Sequence, residues 1–104
     1  MLSKAVIIGS VYEEPRRVSE NTIVFRVISR TGDHVPRPIF FLVSASDNLA
    51  DEFITLKRGN AVLIDASFKT TPQGNPPIHL YPDGHAYTLF EMVAEKITKL
   101  KGLA

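Results

Sequence analysis

Neither cysteine nor tryptophan occurs in this chain of 104 residues. The first absence excludes disulfides and thiolate metal sites and suits a reducing compartment, so stability must come from a packed core. The second leaves six phenylalanines and three tyrosines to carry any aromatic recognition. Long apolar runs are missing too: the N-terminal run spans only residues 5–8, shorter than a signal-peptide core or a membrane span, and a cytoplasmic location is expected. Charge of one sign is scarce, with 12 Lys and Arg against 11 Asp and Glu for a net +1. No internal repeat or low-complexity tract is present.

Catalytic signatures are equally thin. His34, His79 and His85 fall in turn-rich sequence with Asp33 and Asp83 nearby, but the second and third histidines are separated by a proline turn. There is no His-x-x-x-His helix, no Ser/His/acid set and no glycine-rich phosphate loop. Solvated loop histidines are the expectation, with no enzymatic activity, no metal and no cofactor.

What the chain does contain is a composition near the globular average, 44% hydrophobic and 22% charged, in a length that suits one domain over residues 1–104. Five strands and one helix are expected. The first strand covers residues 4–12 and should stop at Glu13-Glu14-Pro15, because proline cannot donate to a ladder. Residues 22–30 alternate, placing Ile23, Phe25, Val27 and Ser29 on one face and Thr22, Val24, Arg26, Ile28 and Arg30 on the other. After a turn around Gly32 and Asp33, Pro36 and Pro38 delay the third strand to Ile39.

A helix is expected over residues 47–57, capped by the side chain of Ser46 or Asp47, with Leu49, Phe53 and Leu56 on one face. Lys57 and Arg58 would meet the negative end of its dipole, and Gly59 would terminate it. Residues 60–70 return to alternation, with Val62, Ile64, Ala66 and Phe68 on one face. Residues 71–85 hold several prolines and glycines around Ile78-His-Leu-Tyr81 and read as a long hairpin. From Tyr87 onward, Leu89, Met92, Val93, Ile97 and Leu100 fit a helical stripe at least as well as an alternating strand.

The order of these segments is similar to that of the single-stranded DNA-binding proteins of bacteria and their viruses. Lys4-Ala-Val-Ile-Ile-Gly9 with Glu14-Pro15-Arg16-Arg17 resembles the family's opening, and residues 46–60 resemble its helix and helix stop. Residues 62–70 resemble its fourth strand, and Val93-Ala-Glu-Lys-Ile97 its closing strand. The resemblance implies an all-β fold: a five-stranded Greek-key OB barrel with the helix between strands 3 and 4 and a long final strand in place of a C-terminal helix. It further implies sequence-independent binding of single-stranded DNA in replication, recombination or repair, at the nucleoid. A homodimer or homotetramer is expected, because one small barrel with few stacking aromatics gains affinity by presenting several binding faces to the same strand. The related primosomal replication protein N offers an alternative, an accessory barrel of a replication-restart primosome that works mainly through protein contacts.

Two departures from the family pattern stand out. Of its aromatic positions only the start of the third strand is matched, by Phe40, and the chain ends in Lys99-Leu-Lys-Gly-Leu-Ala104 without the family's acidic tail. Recruitment of partners through such a tail is not expected. A single strand offers a line of phosphates and a row of exposed π-faces, so aromatics on a sheet surface beside cations are the candidate site. Five arginines (Arg16, Arg17, Arg26, Arg30 and Arg37) cluster in the first half of the chain, and with Lys69 they are the expected phosphate contacts. Phe40 is expected as an exposed stacking ring, with Phe41 pointing the other way, and Tyr81 and Tyr87 as loop aromatics. Phe25, Phe53, Phe68 and Phe90 are expected in the core.

Overall fold

Alternating burial along two strands marks the inside of a closed barrel. The computed structural model describes residues 4–29, 39–69, 78–84 and 86–101. They form β1 (Lys4–Ser19), β2 (Thr22–Ser29), β3 (Ile39–Ser46), α1 (Asn48–Phe53), β4 (Ala61–Phe68), β5 (Ile78–Leu80) and β6 (Ala86–Lys99). The strands follow the order β3-β2-β1-β4-β6-β5, and a parallel pairing of β3 with β6 closes the cylinder. Five strands make the expected Greek-key OB barrel, and the three-residue β5 is an added arm that, among the described residues, pairs only with β6. The other pairings are antiparallel, so the closing pair is the one exception among them.

Inside the barrel the period of two holds where it was expected. On β2, Ile23, Phe25, Val27 and Ser29 are buried, and on β4, Val62, Ile64 and Ala66 are. Ser29 meets the need of a buried hydroxyl by donating to the Ile8 carbonyl at 3.0 Å. Phe25 lies in the core, with Phe53 and Phe90 packed against it. Phe68 departs from expectation: it shares the inward parity but sits at the mouth of the barrel, 41% exposed, edge-on to Phe90. Phe41 stacks on Phe90 at 5.9 Å, so these rings gather at the end where β3 begins and β4 stops.

Four local expectations are corrected. Pro15 does not end β1; the strand continues to Ser19 with register shifts on both sides of Glu13, and such irregularity tolerates a residue without an N–H. The helix is shorter than expected, because Ile54 and Thr55 form a turn and Lys57 and Arg58 lie beyond its end, not in its last turn. Its N-cap is Asp47, with φ 58° and ψ −123° and no side-chain capping bond; its backbone carbonyl accepts from the Asp51 amide instead. Gly59 does take a positive φ of 92°, but in the loop before β4, not at the helix end.

The C-terminal segment is a strand, not a helix. Its helix-like spacing has a physical cause. Lys96 pairs with Asp65 while Ala94 pairs with Ala66, so Glu95 is an extra residue on the β6 side. That bulge moves the buried set from Met92 and Ala94 to Ile97, a step of three where a regular strand gives two. Among the described residues, no helix is long and apolar enough to cross a membrane.

Candidate nucleic-acid interface

On β3, Phe41, Val43 and Ala45 turn toward the core, which leaves Phe40 on the outer face of the barrel. It is nevertheless only 3% exposed, which corrects the expectation of an open stacking ring. Three tyrosines cover it. Tyr12 packs edge-on at 5.1 Å between ring centroids, Tyr87 at 5.6 Å and Tyr81 at 6.4 Å. Tyr81 and Tyr87 lie 4.4 Å apart with planes 34° from each other. Every tyrosine of the chain therefore belongs to one cluster with Phe40 as its floor.

Each ring is brought there by a definable local device. Tyr12 is the extra residue of a β-bulge: Val11 pairs with Val27 and Glu13 with Arg26, so nothing on β2 opposes Tyr12. Bulges of this kind re-aim a side chain. Tyr81 and Tyr87 flank the turn joining β5 to β6, where Gly84 adopts φ 89° and its amide donates to the Tyr81 carbonyl at 2.9 Å. A residue with a Cβ would be strained at that φ. Burial pushes the Tyr81 phenol above the usual 10.0, with Tyr12, Tyr87 and Asp83 adding and Arg26 opposing. The hydroxyl stays neutral at physiological pH and adds no negative charge to the cluster.

Cations share the outer face with the rings. Arg26 lies one diagonal step from Phe40 on the outer face, since Ile28 pairs with Phe40 and Arg26 with Leu42. Its Nε is 3.4 Å from a Glu13 carboxylate oxygen. Lys69 continues the β4–β6 pairing, its backbone N–H donating to the Glu91 carbonyl at 2.9 Å, and shares the row of Arg26, Leu42 and Glu91 across the barrel. Arg16 is exposed and opposes Val24, on the same outer side. Arg17 does not join this group: it opposes Ile23 and bonds Asp51 of the helix at 3.2 Å and the Glu20 carbonyl at 3.1 Å. Arg30 and Arg37 lie outside the described residues, as do His34, His85 and Asp33.

Two members of this surface are not legible in the sequence pattern. Tyr12 read as the last residue of a strand, and only its place beside Glu13-Glu14-Pro15 hinted at an irregularity that could turn it outward. Arg58 read as a helix-end cation, yet its guanidinium carbon sits 5.0 Å from the Tyr12 ring centroid, over the ring face.

No family model matches the sequence, and no curated protein is matched. Solved structures do match along nearly the full length. A small single-stranded DNA-binding protein from Streptomyces coelicolor superposes with a TM-score of 0.66 at 22% identity, covering 94% of each chain. The mitochondrial single-stranded DNA-binding protein of S. cerevisiae gives a TM-score of 0.68 at 19% identity over 98% of each. The chain has the OB fold of single-stranded DNA-binding proteins. A second single-stranded DNA-binding protein of Mycobacterium smegmatis agrees, with a TM-score of 0.63 at 16% identity over 95% of this chain and 89% of that one.

Proposed function

We propose that this OB barrel binds single-stranded DNA without sequence preference, in replication, recombination or repair at the cytoplasmic nucleoid, and performs no catalysis. The observation that carries the reading is the convergence of all three tyrosines on Phe40 beside Arg26, on the outer face of a barrel whose structural neighbours are single-stranded DNA-binding proteins. Every base has a π-face, so a tyrosine platform attracts bases of any identity, while cations beside it neutralise the backbone. In this reading Tyr81 and Tyr87 stack, Phe40 supports them from beneath, and Arg16, Arg26 and Lys69 contact phosphates. The assembly is a homodimer or homotetramer.

Titration with homopolymeric single strands and with duplex DNA at several salt concentrations tests this. Single strands should bind more tightly than duplex, with affinity falling as salt rises. Arg26→Ala should flatten the dependence of log affinity on log salt by about 0.7, the value for one phosphate contact on a single strand. If the folded protein shows no preference for single strands, the reading fails and the primosome accessory role takes its place, to be sought by pulldown of helicase or primase components.

A further inference from the structure

The loop between α1 and β4 is fastened to the strand that carries Tyr12. The Gly59 amide donates to the Val11 carbonyl at 2.9 Å, and the Val11 amide donates to the Asn60 carbonyl at 2.9 Å. Within the loop, the Lys57 amide donates to Asn60 Oδ1 at 2.9 Å, and the Arg58 amide donates to a Glu14 carboxylate oxygen at 3.2 Å. These bonds fix the backbone of residue 58 from both sides of the bulge. The side chain is left to lie over the Tyr12 ring. The attraction of a guanidinium for a tyrosine face at a solvent-accessible site is small enough to be exchanged for a competing partner.

Resting on the reading that this face binds single-stranded DNA, we propose that Tyr12 is a further base-stacking station and that Arg58 is its displaceable cover. In the free protein the guanidinium occupies the ring face. A nucleobase takes that face in the complex, and Arg58, anchored by its backbone, swings to the phosphate of the same nucleotide. A planar cation serves both states, because it stacks on aromatic faces and pairs with phosphate oxygens through its fork of donors. The bulge that turns Tyr12 outward and the loop that holds Arg58 thus extend the path of the strand from Phe40 across β1 toward the end of the helix.

With no tryptophan and three tyrosines, the chain allows a direct readout. In the Tyr81→Phe/Tyr87→Phe variant every ring is kept and Tyr12 is the sole emitter. Oligo(dT), whose binding is followed independently by the anisotropy of a label on the DNA, should quench that emission. Binding without any change in Tyr12 emission overturns the stacking station. In the parent background, Tyr12→Leu should weaken binding about 5- to 150-fold, the range for one stacked base, and leave the salt slope unchanged. Arg58→Ala should flatten the slope by about 0.7, and Arg58→Lys should restore it.

A parental salt slope in Arg58→Ala overturns the exchange even if Tyr12 stacks. If Tyr12→Leu and Arg58→Ala melt like the parent and bind like it at every salt concentration, the whole proposal falls while single-strand binding by the Tyr81 and Tyr87 surface stands. Failure of the parent itself to bind oligo(dT) is a different result and removes both.

Discussion

Phe40 shows how a single ring can belong to a surface without being exposed. It faces outward from β3, yet Tyr12, Tyr81 and Tyr87 shield it, so its substitution should be felt first as a loss of packing. Removing a buried phenylalanine costs about 3–5 kcal/mol. Phe40→Ala should lie near the lower figure, because the tyrosines above it can settle into part of the space, whereas a ring in the barrel interior has no such cover. Urea denaturation monitored by circular dichroism checks the value. Single-strand binding should fall in the same variant, since the tyrosines lose the floor that holds them at their present angles.

Among the elements, β1 carries the most structural consequence. Its first half pairs with β4 and its second half with β2, with Ser10 paired to both strands. Gly9 stands at this transfer. A Cβ there would press on the Ile28 carbonyl oxygen and lie 2.8 Å from Val27 Cγ1, so the backbone of β2 itself blocks any larger residue. Gly9→Ala should destabilise the fold by about 1–3 kcal/mol, the range for overpacking a filled site, seen as a lower urea midpoint. Asp47 is the opposite case. Its φ of 58° is uncommon for a residue with a Cβ, and the turn it makes holds its amide 2.8 Å from the Asn21 carbonyl. Asp47→Gly should keep that bond and raise stability by about 1 kcal/mol through relief of backbone strain, measured in the same way.

At the scale of the whole molecule, the barrel has two unlike outer faces. One carries the tyrosines. The other, formed by the start of β1 with β4 and the end of β6, exposes Val6 at 64% and Ile8 at 57%, beside the ion pair of Lys4 with Glu95 at 3.1 Å. Hydrogen bonds from Lys4 and Ser67 hold the Glu95 carboxyl below its usual range. Self-association would give one DNA strand several tyrosine faces, and each contact after the first would then be effectively intramolecular. Light scattering at micromolar concentration should find a dimer or tetramer. Val6→Lys with Ile8→Lys should shift it toward monomer and lower affinity for long single strands more than for short ones. A parent that is monomeric throughout removes the assembly from the proposal.

Patterns of burial were legible residue by residue wherever pairing was regular. The inward set on β2 and most of that on β4 followed from a period of two, and a helix between β3 and β4 followed from its local composition. These features depend on neighbours only a few residues away. The rest depended on contacts between distant strands. Pro15 was absorbed because β1 bulges against β2, and the helical stripe near the C-terminus proved to be a strand with one extra residue against β4. The tyrosine cluster needed the whole barrel, since it joins β1, β3, β6 and the residue that follows β5 across 75 residues from Tyr12 to Tyr87. Periodicity sorts residues into inside and outside; only the closed sheet sets which of the outside residues stand together.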